Sequence, residues 1–275
     1  MVGLLYIFIF IFGACLGSFS NVLINRTQKG KTILGRSKCD RCKYTLSWYD
    51  NIPVISFLIL KGSCRKCKKK ISWDHFWMEI STGLIMVLSF WLLGRGSQLG
   101  LGATTSIFYW DILYYLTIIY ILWVIFVWDL KFMIIPDFLV LIGLVLTLVY
   151  EIGRWFVLFG FDINGFLLEK VAGSLLIGFF FGAMFYFSKG RWIGGGDVKI
   201  GFWLGLIVGA KMVYFFLLFS YVLGAGVAIF LLLFSKKKMK SQIPFGPFLI
   251  VATYLIIFYQ DLILAVWSSL LSLPS

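Results

Sequence analysis

The sequence is poor in charge and in histidine. Only 13% of its 275 residues are charged, Lys and Arg outnumber the acids by 25 to 12, and one histidine is present. So few charges do not describe the surface of a soluble protein. The apolar stretches are continuous and lack the alternating pattern that a β-barrel requires. No RNA- or DNA-binding motif accompanies the basic residues, so we expect no nucleic acid partner.

Long apolar runs dominate the chain instead. Hydrophobic residues make up 61% of it, and its mean hydropathy is +0.96. Because a bilayer core of about 30 Å requires roughly 20 apolar residues per helix, these runs predict an all-α polytopic membrane protein with about eight spans. The stretch from Gly201 to Phe234 is too long for one crossing, and we place a hairpin at Lys211. A single span there would give seven spans in total and would invert the membrane orientation of everything after it. The predicted spans lie near residues 2–25, 76–93, 107–128, 134–152, 167–188, 199–210, 212–234 and 247–267.

The distribution of positive charge predicts the orientation. The first span lacks the positive leading region and small-residue cleavage site of a secretory signal, so we expect it to be retained. With an outside N-terminus, eight spans place 21 of the 25 Lys and Arg residues on the cytoplasmic side, in agreement with the positive-inside rule. The net charge of +13 is then explained by orientation and by attraction to anionic membrane lipid.

Residues 26–75 form a polar segment large enough for a small domain between a first helix at 1–25 and a bundle at 76–275. Two C-x-x-C pairs in it, Cys39 with Cys42 and Cys64 with Cys67, are separated by 21 residues. This spacing suits four thiolates around a structural zinc ion, and disulfides or a redox pair are the alternative. Because the predicted orientation places the loop in a reducing compartment, zinc is favoured.

Other residues of this region have simpler expected roles. The apolar stretch Ile52 to Leu60 is too short to cross a membrane, so it lies against the bundle or the membrane interface. His75, alone among four cysteines better suited to metal, is expected at a surface or interface. We expect Cys15, inside the first span, to be a small buried hydrophobic residue with no special role.

Two aspartates next to apolar helices stand out, because ionised groups near lipid are unfavourable and usually face a cavity. Asp129 closes the third span and Asp197 opens the sixth, both at the predicted cytoplasmic end. Two such carboxylates close together can share a proton and hydrolyse an amide without a metal. Gly194, Gly195 and Gly196 would let a substrate strand approach closely. Taken singly, each element has a structural alternative: a helix cap, a turn or a solvated helix end. We expect Asp137, after Pro136, to lie in the first turn of the fourth span, where the helix dipole stabilises an acid, and to take no part in the catalytic pair.

These residues also carry a resemblance. A G-x-G-D sequence at the start of a membrane helix, with a second aspartate on an earlier helix, is similar to the signature of prepilin and preflagellin peptidases and of presenilin-type proteases. The likeness to bacterial type IV prepilin peptidases extends over nearly the whole chain. The matching segments are GACLGSFSNVLINR at 13–26, WYDNIPVISFLILKGSC at 48–64, WDLKFMIIPD at 128–137, GGGDVK at 194–199 and IPFGPFLI at 243–250.

The resemblance implies a bifunctional enzyme of the bacterial inner membrane with its active site at the cytoplasmic side. Such enzymes remove the basic leader from type IV prepilins and pseudopilins, and many then methylate the new N-terminus with S-adenosylmethionine. It implies that Asp129 and Asp197 are catalytic and that the four loop cysteines bind zinc. Glu79 matches a family glutamate, but the preceding Asp74, His75 and Phe76 replace the usual arginine, tyrosine and proline. This departure concerns methyl transfer and not cleavage.

Two other classes of function are compatible with parts of the sequence. In a transporter, Asp129 and Asp197 would bind cations along a path through broken helices. That class predicts repeated halves, and the sequence has none. In a membrane adaptor, the cysteine loop would present a zinc module to cytoplasmic partners, and the intramembrane acids would have no role.

Overall fold

Helices form almost all of the chain that can be described. The computed structural model describes residues 2–39, 41–95, 105–159, 166–234 and 243–271. Within these ranges there is no β-strand, only two isolated bridges. The predicted all-α membrane fold is confirmed. The α-helices are α1 (Val2–Gln28), α2 (Ile55–Ile59), α3 (Trp73–Arg95), α4 (Thr105–Phe132), α5 (Asp137–Phe159), α6 (Phe166–Ser188), α7 (Gly195–Val208), α8 (Val213–Phe234) and α9 (Gly246–Leu271).

The chain divides into two compact units, Met1–Gly94 and Arg95–Ser275. The first contains α1, the cysteine loop and α3, and the second contains the remaining helices. The division predicted from the sequence, with boundaries after residues 25 and 75, stays a prediction. The basic segment at 236–240, which contributes to the predicted orientation, lies outside the described residues.

Seven of the described helices are long and apolar enough to cross a membrane. The predicted sixth span corresponds to α7, which has only 14 residues. At 1.5 Å per residue it is about 21 Å long, less than the thickness of a bilayer core. Nine of its side chains or glycines are buried, and Ile200, Trp203 and Leu204 are fully so. α7 is therefore enclosed by protein instead of facing lipid.

Glycines allow α1 and α3 to pack closely in the first unit. Gly13 and Gly17 are four residues apart on α1. A Cβ added at Gly13 would lie 2.9 Å from the Cα of Gly83, and one at Gly17 would lie 2.8 Å from the carbonyl oxygen of Met78. Small residues at this spacing are typical of close helix contacts in membranes. The GACLG segment thus has a packing role.

Glycines also join α6 to α7 in the second unit. A Cβ at Gly205 would lie 2.5 Å from the carbonyl oxygen of Gly173. α7 then ends at Gly209, which has a φ of +78°. In the turn that follows, the Lys211 ammonium lies 3.5 Å from the Glu169 carboxylate at the start of α6. The chain therefore turns at Lys211, as the sequence predicts.

A buried polar cluster occupies the second unit near the start of α4 and the end of α5. Asp111 and Glu151 are only 1% and 2% exposed. The Tyr150 hydroxyl donates to Asp111, and Arg154 Nε lies 4.0 Å from the same carboxylate. Lys170 and Arg154 also attract Glu151 electrostatically. Sequence reasoning treated both cations only as orientation charges and missed their acidic partners.

Removing a cation from this cluster should destabilise the protein strongly. We expect Arg154→Met to lower the free energy of unfolding by about 3–5 kcal/mol, because buried carboxylates would lose a compensating charge. The matched control is Lys211→Met, since that ammonium is 72% exposed and its pair with Glu169 is solvated. The control should change stability by about 1 kcal/mol or less. Thermal unfolding in detergent measures both, and equal melting temperatures would contradict the expectation.

Candidate active site and metal centre

Asp129 lies in the last turn of α4 and is 4% exposed. The helix ends just beyond it because Met133, whose N–H donates to the Asp129 carbonyl oxygen at 2.8 Å, adopts a positive φ of 55°. Pro136 then precedes the first turn of α5, so this helix begins three residues later than the span predicted at 134. The short connection holds the Asp129 carboxylate at the edge of the helical bundle.

Asp197 is the third residue of α7 and is 9% exposed. Its Oδ2 accepts the Gly194 N–H at 3.2 Å, and Gly194 has the extended backbone of an N-cap residue. Asp197 is therefore a helix-capping residue, as the structural alternative proposed. The cap bond also fixes the direction of the carboxylate, which the catalytic hypothesis requires.

Asp129 and Asp197 line one cavity of about 840 Å³. They come from different helices, and the charge of Asp197 acts on Asp129. The structure thus brings together the two acids singled out in the sequence, and the three glycines with them. Asp137, which was expected to serve only the helix dipole, also faces this cavity. The lining consists of residues 129, 133–138, 190–197 and 243–245.

Ile135 connects the segments that carry the two acids. A Cβ added at Gly196 would lie 3.1 Å from the Ile135 Cβ, and one added at Gly246 would lie 3.3 Å from its Cδ1. Ile135 is 8% exposed. This one side chain therefore contacts the start of α7, which carries Asp197, and the start of α9, which faces Asp129.

The start of α9 lies against the site. The backbone of Gly246 is next to the Asp129 carboxylate and acts on it electrostatically. A Cβ at this position would lie 2.5 Å from Asp129 Oδ2, so any larger residue would displace the carboxylate. The positive end of the α9 dipole favours an anion at this place. The segment IPFGPFLI was matched to the family from the sequence, but Gly246 was assigned no role, although a glycine followed by a proline in the first turn of a helix is a usable signal.

Gly246→Ala should impair catalysis without unfolding the protein. The added methyl group would push the Asp129 carboxylate away, and a displacement of about 1 Å can lower a rate about 10²-fold. Gly226→Ala in α8 is the matched control, because a Cβ there meets nothing within 4 Å. Initial rates of peptide cleavage, with melting temperatures for both variants, test this. Full activity of Gly246→Ala would show that the tight fit is unimportant.

An ion pair connects the starts of α5 and α7 beside the cavity. The Lys199 ammonium lies 2.7 Å from Asp137 Oδ2, and the two side chains are 57% and 68% exposed. Such exposed pairs contribute little to stability. Lys199 lies two residues after Asp197, and Asp137 lies eight residues after Asp129. The pair therefore links the two chain segments that carry the acids. The residues are 62 positions apart, so no local pattern in the sequence predicts the pairing.

The four loop cysteines form a compact cluster in the first unit. All four Sγ atoms lie within 4.8 Å of one another. Cys39 and Cys67 are 3.7 Å apart, and Cys42 and Cys64 are 3.9 Å apart. A tetrahedral zinc ion with Zn–S bonds of about 2.3 Å would separate its sulfur ligands by about 3.8 Å. The sulfur positions therefore fit one zinc ion, and the predicted ligands are brought together.

The two C-x-x-C turns have the same backbone conformation. Lys43 and Lys68, one residue after each pair, have φ values of 57° and 56°. Their N–H groups donate to the carbonyl oxygens of Cys39 and Cys64, both at 3.0 Å. The backbone N–H groups of Cys42 and Arg41 lower the pKa of the Cys39 thiol to about 6. Thiolate is the form that binds metal, so these two N–H groups favour the metal-binding form of Cys39.

Comparison with known proteins supports the resemblance. The bacterial peptidase A24 N-terminal domain matches residues 11–93, and the type IV leader peptidase family matches residues 115–229. A Vibrio cholerae protein is 29% identical over 277 residues, covering 93% of this chain and 98% of the relative. A Bacillus subtilis protein is 26% identical over 262 residues, covering 94% and 95%. A Myxococcus xanthus protein is 44% identical over 80 residues, covering 29% and 24%.

All three relatives carry the name prepilin leader peptidase/N-methyltransferase. No solved structure matches the chain. The two family matches follow one another along the chain and cover the cysteine loop, Asp129 and Asp197. The multi-pass helical architecture agrees with them. The chain therefore belongs to the type IV leader peptidase family, which is a family of proteases.

Proposed function

We infer that the protein is an intramembrane aspartyl endopeptidase that removes the basic leader from type IV prepilins or pseudopilins. The observation that carries this proposal is the pair of buried carboxylates, Asp129 and Asp197, which line one cavity from two different helices. The names of the relatives support prepilin processing. The identity of the two acids as catalytic residues is our proposal.

The chemistry requires the two carboxylates to share one proton. The ionised acid takes a proton from a water molecule, and the oxygen of that water attacks the carbonyl carbon of the scissile peptide. The protonated acid donates a hydrogen bond to the carbonyl oxygen and stabilises the tetrahedral intermediate. Proton transfer to the leaving nitrogen then breaks the C–N bond. The products are a carboxylate on the leader and a free amine on the pilin.

The site is suited to a peptide in an extended conformation. Gly194 and Gly195 line the cavity without side chains, so a substrate backbone can approach Asp197 closely. The apolar part of the prepilin would enter from the lipid while its basic leader stays in the cytoplasm. The distribution of Lys and Arg along the chain supports this sidedness, because the positive-inside rule predicts both acids at the cytoplasmic end of their helices. The membrane would be the bacterial inner membrane.

Zinc and S-adenosylmethionine are the proposed cofactors. Zinc would hold the cysteine loop, which has 13 cations and little apolar core. S-adenosylmethionine would supply a methyl group to the new N-terminal amine, as the relatives' names suggest. We expect its site in the first unit, where Glu79 is a buried carboxylate whose charge suits a sulfonium ion. One of its oxygens already accepts the Val54 N–H at 2.8 Å.

Mass spectrometry of a defined reaction tests both activities. The purified chain in detergent is incubated with a prepilin, with and without S-adenosylmethionine. Leader removal in both samples is expected, with a further mass increase of one methyl group only when S-adenosylmethionine is present. An intact prepilin in both samples would overturn the peptidase proposal, and an unmodified pilin in both would overturn methylation alone.

A further inference from the structure

The short helix α2 in the cysteine loop has an exposed apolar face. Ile55, Leu58 and Ile59 are 55%, 57% and 70% exposed. Their spacing of three and four residues places them on the same side of the helix. Phe57, on the other side, is buried. Exposure of these apolar side chains to water would be unfavourable, which indicates that something other than water contacts this face.

Contacts with α3 fix the position of α2. The Phe57 ring lies 5.1 Å from that of Trp73 and 5.2 Å from that of Phe76, between ring centroids. The Val54 N–H, at the start of α2, donates to the Glu79 carboxylate at 2.8 Å. α2 therefore lies beside the first two turns of α3. Since α3 is one of the helices long and apolar enough to cross a membrane, α2 lies where that helix begins.

Tryptophans at the start of α3 indicate the depth at which the membrane begins. Trp73 and Trp77 are 59% and 61% exposed. Exposed tryptophans at the end of a membrane helix are typical of the boundary between lipid and water, where the ring contacts chains and the N–H contacts headgroups. α2 is attached to this same part of α3, so its apolar face is at the level of the boundary.

The charge around α2 is suited to an anionic membrane surface. Residues 61–70, directly after α2, include six Lys or Arg residues and no acid. Lys61 and the lysines at 68–70 are exposed. Basic residues next to an apolar face are typical of helices that lie in the interface of membranes with anionic lipid.

We propose that α2 is an interfacial anchor: its face of Ile55, Leu58 and Ile59 is inserted between the headgroups of an anionic leaflet. An anchor at this position would hold the cysteine loop at the membrane surface. This role is independent of which peptide the protein cleaves. Lipid is the occupant that we assign to this face, which the described residues of the first unit leave exposed.

Spin labelling of the full-length protein in vesicles containing anionic lipid tests the proposal. Cys15→Ser removes the cysteine outside the cluster, and zinc protects the other thiols. Nitroxides are then attached to Ile59→Cys and, separately, to Leu58→Cys. Thr32→Cys, an exposed polar position in the same loop, is the matched control. Collision with oxygen, which concentrates in lipid, and with a water-soluble nickel chelate is measured for each label. Zinc content verifies that each variant is folded in this region.

The expected result is a ratio of oxygen to nickel collisions several times higher at both α2 positions than at Thr32. Labels at Ile59 and Leu58 that collide with nickel as freely as the control would overturn the proposal, because the face would then be in water. Labels shielded from both reagents would also overturn it, since protein would then cover the face. Two positions are used so that one poorly tolerated substitution does not decide the outcome.

Discussion

Asp129→Asn and Asp197→Asn are each expected to lower the rate of prepilin cleavage by about 10²- to 10⁴-fold, the usual contribution of a positioned acid or base. Asparagine keeps the size of the side chain but can neither take a proton from water nor share one with the other acid. Both side chains are buried at the same cavity, so bulk water cannot take over the proton transfer of a missing acid. Cleavage is measured as initial rates with a purified prepilin in detergent.

The two substitutions should not be additive. If the acids act as one proton-sharing unit, the double variant should be about as inactive as either single one. Asp261→Asn, at an exposed aspartate of α9 away from the cavity, is the control and should retain full activity. Each variant should melt at or above the temperature of the parent protein, because a buried neutral amide is less unfavourable than a buried charge. Substantial cleavage by either single variant would refute the assignment.

Cys64→Ser is expected to remove the metal from the loop and to unfold it. Cys64 is 3% exposed and belongs to the cluster of four thiols, so the loss of one ligand leaves an incomplete tetrahedron. The folding of such loops depends on the metal because they bury little apolar surface. Zinc content by elemental analysis should fall from about one ion per chain to nearly none. Trypsin should then cleave at the lysines of residues 66–70.

Cys15→Ser is the control for this prediction. Cys15 lies outside the cluster and is exposed on α1, so the expectation that it is buried was wrong. It should retain both zinc and resistance to trypsin. A chelator added to the parent protein should reproduce the effect of Cys64→Ser. Thiol titration after denaturation separates zinc from disulfides: five reactive thiols per chain indicate metal ligands, whereas two disulfides would leave one. The latter result would contradict the zinc assignment.

Hydropathy was sufficient to predict the helical membrane fold, because nearly every apolar run is also a helix. Helix ends were less predictable. α7 was expected as a full span, but its length is limited by Gly194 at its start and by Gly209, with its positive φ, at its end. A helix this short is possible because α7 is surrounded by protein and does not have to match the thickness of the bilayer. The apolar pattern and the composition of a segment do not distinguish such an enclosed helix from one that spans the membrane.

The acids of the candidate site could be selected from the sequence, but their surroundings could not. Asp129 and Asp197 were selected because they flank apolar runs and match a family signature, and the structure brings them to one cavity. The pair of Lys199 with Asp137 and the contact of Gly246 with Asp129 join positions far apart in the chain. These contacts depend on how the helices pack. The buried cluster around Asp111 was missed for the same reason.

Ile135 makes the width of the cleft adjustable at a single position. Because its side chain contacts both Gly196 and Gly246, a smaller or larger residue there would shift α7 and α9 together and change the spacing of the two carboxylates. A variant library at this codon could therefore retune which residues are accepted around the scissile bond while both acids are kept. Such a position is a natural starting point for engineering cleavage selectivity.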